Sequence, residues 1–148
     1  MKTWFDFIGS ELDWFATDSE GCVGLFSSAG WGPIPDFVFE HFNEQRAIEQ
    51  ELCGFVGKTP FDFAADGSNL LLTYFDALLA HGVFCFDWED TFGPYRRHST
   101  PLKIAHVAHF DFSLELQSSF VPLPKCQFRL ATELQQNTMP AFTDVSRR

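Results

Sequence analysis

Two histidines and an aspartate in the last third of the chain have the spacing of a possible metal site. His106 and His109 are three residues apart, and Asp111 follows two positions later. On a helix, residues three apart share a face, so two imidazoles and a carboxylate could converge on one ion. A bound transition metal would then activate water for hydrolysis. The zinc-hydrolase pattern H-E-x-x-H is not present, and the alternative is a pair of surface or half-buried imidazoles.

The loop F-S-S-A-G-W-G-P-I-P-D, residues 26–36, contains serines and glycines that could serve a nucleophile or a phosphate. A nucleophile elbow reads G-x-S-x-G, but Leu25 and Phe26 stand where its first glycine belongs. A phosphate loop needs G-x-x-x-x-G-K-[ST] or G-x-G-x-x-G, and Pro33 removes an amide donor here. We therefore expect the loop to position Trp31, either as a plug in the core or as an anchor for a partner.

Acidic residues gather around a second tryptophan. Asp87, Glu89 and Asp90 flank Trp88 just after an apolar run. Paired carboxylates can act as general acid and base when their environments differ. No substrate pocket can be identified from the sequence, so an acidic contact surface or a solvated turn is the simpler interpretation.

A third group of acids follows the Trp31 loop. Asp36, Glu40 and Glu44 are each four residues apart, and on one helix they would form a single stripe beginning near Trp31. We expect residues 28–35 and this stripe to form one docking surface for a basic partner. The alternative is a solvated helix face beside a buried Trp31.

The charge is distributed unevenly along the chain. Residues 1–92 contain 16 acids and three bases, a net −13, and residues 93–148 contain four acids and seven bases, a net +3. These values sum to the overall charge of −10. A field of this sign repels phosphate backbones, which disfavours nucleic-acid binding, and attracts basic proteins. Solubility alone is the competing explanation.

Composition bounds the class of protein. The chain has 148 residues, 45% of them hydrophobic, which is enough for one packed domain. No run is long and apolar enough for a membrane helix, and the N-terminus lacks a signal-peptide pattern, so we expect a cytoplasmic protein. The four cysteines are far apart in sequence and are expected to be reduced and mostly buried.

Hydrophobic periodicity predicts the elements that position these residues. The predicted fold is α+β, a single domain with a mostly antiparallel sheet and two to three helices packed on it. Residues 1–134 form the domain, and residues 135–148 form a loosely ordered tail. The elements expected are strands at 12–17 and 22–26, one helix or two short helices in 37–56, a helix from about 68 to 82, strands at 83–88 and within 95–104, a helix rather than a strand in 105–121, and a strand at 126–131.

Two stretches resemble a known kind of protein. They are D-W-F-A-T-D-S-E-G-C-V-G-L-F-S-S-A-G-W-G-P-I-P, residues 13–35, and F-G-P-Y-R-R-H-S-T-P-L-K-I, residues 92–104, with Leu123-Pro124 beyond. They resemble small acidic bacterial proteins in which a D-x-x-G hairpin leads into a G-x-G-P-[IV]-P loop. Chains of this kind are similar to immunity proteins of contact-dependent or polymorphic toxin systems. The resemblance covers roughly a quarter of the chain and implies no catalytic motif.

The sequence therefore predicts a non-catalytic, cytoplasmic protein-binding protein without a cofactor, of the immunity type, that inhibits a basic toxin domain. Two alternatives stay open: a small metal-dependent or acid/base hydrolase using the His106, His109 and Asp111 group, and a housekeeping protein that self-associates. No nucleic acid or membrane is expected as a partner, and the oligomeric state is open. The residues expected to meet the partner are Trp31, Asp36, Glu40, Glu44, Asp87, Trp88, Glu89 and Asp90.

Overall fold

The computed structural model describes residues 2–54, 70–89 and 92–142, and these contain six strands and four α-helices. The strands are Asp13–Asp18 (β1), Val23–Ser27 (β2), Phe84–Trp88 (β3), Tyr95–Arg97 (β4), Val121–Leu123 (β5) and Glu133–Leu134 (β6). The α-helices are Asp36–Glu40 (α1), Phe42–Cys53 (α2), Leu70–Ala80 (α3) and Leu114–Gln117 (α4). Short 3-10 helices occupy Trp4–Phe7, Val107–His109 and Gln136–Thr138.

The strands form one mixed sheet in the order β5-β1-β2-β3-β4-β6. The α+β prediction is confirmed, as is the β1–β2 hairpin, but two of the pairings, β1–β5 and β2–β3, are parallel. A tight turn reverses the chain and makes neighbours antiparallel, whereas a helical crossover returns it in its original direction. Helices α1, α2 and α3 lie between β2 and β3 in sequence, so β3 joins β2 in parallel.

An aromatic layer covers one face of the sheet. The rings of Trp14 and Phe26 stack with their centroids 4.2 Å apart, and Phe26 stacks on Phe86 at 4.7 Å. These three residues lie side by side in the register of β1, β2 and β3, so their side chains emerge on the same face. Phe128 closes this layer against Phe86, with centroids 5.3 Å apart.

Helices α2 and α3 cover the opposite face. Phe15 and Leu25 pack there with Ile48 of α2 and Leu78 of α3. Because both faces are covered, every residue of β2 is buried. Gln45 of α2 is also buried, and its side-chain amide exchanges hydrogen bonds with the backbone of Phe15 and donates one to the carbonyl of Ser119, which fixes α2 on β1.

The strand predicted at 126–131 is wrong. This segment consists of turns and irregular backbone. Its apolar character comes from Phe128, which is not part of the sheet but packs its ring on β2. A Cβ on Gly24 would come within 2.8 Å of that ring, so Gly24 marks a close approach rather than a bulge. The Phe128 amide donates to the buried carboxylate of Asp18, which holds the plug in place.

The continuous helix predicted in 105–121 is also wrong. Only Val107–His109 and Leu114–Gln117 are helical, and the rest of the segment is irregular because its aromatic residues insert singly into the α2–α3 side of the core. The strand predicted within 95–104 is confirmed only for Tyr95–Arg97. The helix predicted to end at Gly82 does end there, since Ala80 is its last residue and Gly82 has a φ of +88°. Its predicted start at 68 and 69 lies outside the described residues.

The segment after β6 contacts the domain along its described part. The Ala141 carbonyl accepts a hydrogen bond from the Asp36 amide, and the rings of Phe142 and Trp4 meet edge to face at 5.6 Å. The division of the chain at residue 134 stays a prediction. Within the described residues, no helix has the length and apolar character needed to cross a membrane.

Candidate functional site

The serine-glycine loop is held from within by Ser28. Only 1% of Ser28 is exposed, and its hydroxyl accepts a hydrogen bond from the Leu12 amide at 3.1 Å. Its carbonyl accepts the amides of Trp31 and Gly32 at 3.1 and 2.8 Å. These bonds make Ser28 a structural residue of the turn, which agrees with the loop lacking a nucleophile motif.

A hydrogen-bonded relay fixes the far side of the same loop. The Trp14 indole donates to the Tyr95 hydroxyl at 3.1 Å, and that hydroxyl donates to the Pro33 carbonyl at 2.9 Å. Gly32 lies directly on this pair, since a Cβ there would be 2.6 Å from the Tyr95 oxygen and 2.9 Å from Trp88. A side chain at position 32 would therefore displace the relay.

Trp31 stands outside this rigid base with 52% of its surface exposed. The sequence left open whether Trp31 is a core plug or a contact anchor. The half-exposed ring is not a core plug, because Gly32 lets the loop pack on Trp88 and Tyr95 while the Trp31 ring remains at the surface.

The Asp87–Glu89 turn lies beside the Trp31 loop. Ser27 and Asp87 are partners in the parallel β2–β3 register, so the two strands end together. Asp87 lies 3.9 Å from the His98 imidazole, and Glu89 pairs with Arg96 at 3.1 Å. Partial burial raises the pKa of Asp87, as do the charges of Glu11 and Glu89, while His98 acts in the opposite direction.

Trp88 is not the surface contact that the sequence predicted for this segment. Trp88 is only 4% exposed, so its ring is not available as a surface contact; it packs on Tyr95 with centroids 5.0 Å apart. Its indole N–H is buried without an acceptor in the part of the chain that the structure describes. Asp90 lies outside the described residues.

The predicted stripe of Asp36, Glu40 and Glu44 does not lie on one helix. The chain leaves the helical conformation at His41, with φ −119° and ψ 37°, so Glu40 ends α1 and Glu44 lies in the first turn of α2. The four-residue spacing therefore does not align Glu44 with the other two. The break near this position was one of the two possibilities that the helical periodicity allowed.

Sequence reasoning missed two residues near the Trp31 loop, Ile8 and Phe92. The Gly9 amide donates to the Gly30 carbonyl at 2.9 Å, which brings Ile8 to the loop. A Cβ on Gly93 would be 2.2 Å from the Trp88 ring, so the neighbouring residue Phe92 lies at the other end of the same indole. The charge of Glu11 acts on Asp87, so Glu11 also lies nearby. We define the Trp31 end as the surface formed by Ile8, Glu11, Trp31, Asp87, Glu89 and Phe92.

The imidazoles of His106 and His109 take part in a local turn. The His106 Nδ1 accepts the Ala108 amide, and the His109 Nδ1 accepts the His106 amide, both at 3.0 Å. The His106 ring lies on Gly21, where a Cβ would be 2.0 Å from Nε2. His106 therefore packs this segment against the β1–β2 turn.

His109 and Asp111 line an open depression of about 640 Å³ with two residues that the sequence did not group with them, Glu51 and His81. The His81 Nδ1 is 2.8 Å from the Ala77 carbonyl. In the described ranges, no three His, Cys, Asp or Glu side chains are arranged to hold a metal ion. The four cysteines are free thiols, of which Cys22 and Cys85 are buried and Cys53 is exposed.

A partly buried carboxyl lies at the start of β1, next to α2. Asp13 begins β1, opposite Ser27, and burial raises its pKa to about 6. The charges of Glu49 and Glu11 act in the same direction, while the Ser27 hydroxyl and Arg46 lower the pKa. Arg46 donates to the Asp13 carbonyl and to the Glu49 carboxylate, so its charge is shared. No sequence pattern marks Asp13, because its burial comes from the packing of α2.

Comparison with known proteins gives no match to a family model, a curated protein or a solved structure.

Proposed function

We propose that this chain is a non-catalytic binding protein of the cytoplasm, an immunity-type inhibitor that covers the active surface of a basic toxin domain. The observation that carries the proposal is the half-exposed Trp31 on a loop fixed by Ser28 and Tyr95. Exposed tryptophans on preorganised supports are typical binding anchors, because little conformational freedom is lost when they are covered.

The charge distribution supports a basic partner. The net −13 of residues 1–92 includes every carboxylate of the Trp31 end and of the α1–α2 region. A negative surface accelerates association with a basic protein and makes the rate sensitive to salt. Ser28 and His106, two residues that could have served catalysis, take part instead in structural hydrogen bonds.

Co-expression with the products of adjacent genes tests this function. We expect one product to arrest growth when expressed alone, and this chain to restore growth and to co-purify with that product. Trp31→Ala should weaken both effects without loss of folding. If no adjacent product impairs growth or binds the purified chain, the inhibitor function is wrong.

Two further measurements separate the alternatives. Metal analysis of protein purified without a histidine tag should find no stoichiometric transition metal; a metal that is lost in His106→Ala would favour the hydrolase. Sedimentation over a concentration series should show no change in mass, whereas concentration-dependent association would favour the self-associating protein.

The role of α1 and α2 can be tested by charge reversal. Glu40→Lys with Glu44→Lys should slow association with the partner and reduce its salt dependence, while the melting temperature stays nearly unchanged. Unaltered association would place the interface at the Asp87–Glu89 turn and not on these helices.

A further inference from the structure

The described residues contain two further exposed apolar side chains, those of Ile8 and Phe92, that the proposed function does not by itself explain. Phe92 is 90% exposed, Trp31 is 52% exposed and Ile8 is 37% exposed. Single exposed hydrophobic residues are ordinary on protein surfaces, but several that adjoin one another indicate a contact region.

The contacts beneath these residues place them together. Gly32 and Gly93 lie against the two ends of one buried indole, that of Trp88, so Trp31 and Phe92 flank a single ring. The Gly9–Gly30 hydrogen bond brings Ile8 to the other side of Trp31. Ile8, Trp31 and Phe92 therefore lie on neighbouring loops at this end of the sheet.

The charged groups around this surface are not balanced. Glu11, Asp87, Glu89 and Glu133 supply four negative charges, and the fixed positive charge among them is Arg96, which lies 3.1 Å from Glu89 and 3.7 Å from Glu133. His98 lies 3.9 Å from Asp87. An apolar partner would bury more negative than positive charge here, which is costly.

We propose that the Trp31 end binds a segment of the partner that carries arginine or lysine side chains, an assignment that rests on the proposed function and specifies its contact chemistry. The cationic groups pair with Glu11, Asp87 and Glu89. Their aliphatic stems cover Trp31 and Phe92, as long cationic side chains do on apolar surfaces. A guanidinium over the Trp31 ring adds a cation–π contact.

Titration of the free protein with a defined basic peptide tests this surface. The probe is acetyl-hexaarginine amide, with acetyl-hexaglutamate amide as the control, observed in ¹H–¹⁵N spectra at low salt. We expect the Trp31 indole signal and the amides of residues 8–11, 28–32 and 87–89 to shift together. The indole signal of Trp14, which is buried, should not move.

Paired variants locate the binding. Glu11→Gln with Glu89→Gln and, separately, Trp31→Ser with Phe92→Ser should each weaken the peptide about tenfold. The matched control, Glu51→Gln with Glu115→Gln, removes the same charge from exposed carboxylates on α2 and α4 and should change affinity less than twofold. Thermal unfolding of each variant confirms that it is folded.

Three results would overturn the inference: no shift at the Trp31 end, equal shifts over all acidic surfaces, or greater loss of affinity in the Glu51 and Glu115 control than in the Trp31-end variants. These outcomes are independent of the growth assay. If the chain neutralises a toxin but the peptide does not bind the Trp31 end, the inhibitor function stands and this binding surface is wrong. If the peptide binds the Trp31 end but no toxin is neutralised, the surface stands and the inhibitor function is wrong.

Discussion

Polar side chains surround both ends of strand β2, but those near its beginning make structural hydrogen bonds and those beyond its end remain exposed. At its beginning, Asp18, His106 and His109 direct their polar atoms to backbone amides. Beyond its end, Trp31 is half exposed and the carboxylates of Asp87 and Glu89 remain at the surface. Residue types capable of chemistry occur at both ends, but only the second end has them available. The hydrogen bonds that a side chain already makes therefore decide its role more than its identity does.

Replacement of Asp18 should produce the largest loss of stability. Its carboxylate accepts the Glu20 and Cys22 amides at 2.9 Å and the Phe128 amide at 2.8 Å. Asp18→Ala should lower the free energy of unfolding by about 3–5 kcal/mol, measured by urea denaturation, because three backbone donors, two of them in buried hydrogen bonds, lose a charged acceptor. Asp18→Asn keeps one acceptor oxygen and should lose roughly half as much. Equal stability of Asp18→Ala and wild type would show that this end is not held by the carboxylate.

The pH dependence of stability tests the role of Asp13, which lies opposite the end of β2. Its carboxyl titrates at 3.8 in the unfolded chain and at about 6 in the folded protein, so between these values the folded state retains a proton that the unfolded chain has lost. Its contribution to stability is therefore present at low pH and is lost as pH rises from about 4 to about 6. The loss is about 3 kcal/mol. Asp13→Asn should gain stability relative to wild type over that window, and a constant difference across it would contradict the assignment.

Trp31→Ala should separate binding from folding. Because half of the ring is exposed and its base is formed by other residues, the free energy of unfolding should change by about 1 kcal/mol or less. The Kd for the partner identified by co-expression should rise roughly 30-fold or more, as for an interface hot spot, measured by calorimetry. A large stability loss with unchanged Kd would assign Trp31 to the core after all.

His106→Ala should have the smallest effect. The change removes the acceptor for the Ala108 amide and a ring packed on Gly21, in an exposed turn. We expect a loss of about 1 kcal/mol or less in the free energy of unfolding, and no change in bound metal or in partner affinity. A loss of activity toward any hydrolysable substrate would instead restore the catalytic interpretation.

Local patterns in the sequence predicted the elements whose neighbours are close in the chain. The β1–β2 hairpin, the end of α3 at Gly82 and the fold class were predicted correctly from turn residues and apolar periodicity. The errors involve distant contacts. Phe128 resembles part of a strand because a buried aromatic has the same apolar signature whether it lies in a sheet or plugs one.

The candidate site shows the same limit. The sequence identified Trp31 as a possible contact residue because the glycines and prolines around it are typical of a rigid loop. Ile8 and Phe92 could not be predicted. The Gly9–Gly30 hydrogen bond that brings Ile8 to the loop joins residues about 20 apart, and the packing of Gly32 and Gly93 on Trp88 joins segments about 60 apart. The break at His41 likewise has no proline or glycine to signal it, so the periodicity allowed one helix or two and could not decide between them.

The parallel pairing of β1 with β5 has a consequence for how the chain is made. Ala16 pairs with Val121, so their sequence separation is 105 residues, 121 minus 16. A ribosome adds roughly 5–20 residues per second, so that edge of β1 waits roughly 5–20 s for its neighbour. During this interval the nascent hairpin presents an aromatic strand with unpaired amides and carbonyls, a template for association between chains. Slower synthesis therefore prolongs the period in which chaperones must shield the growing protein.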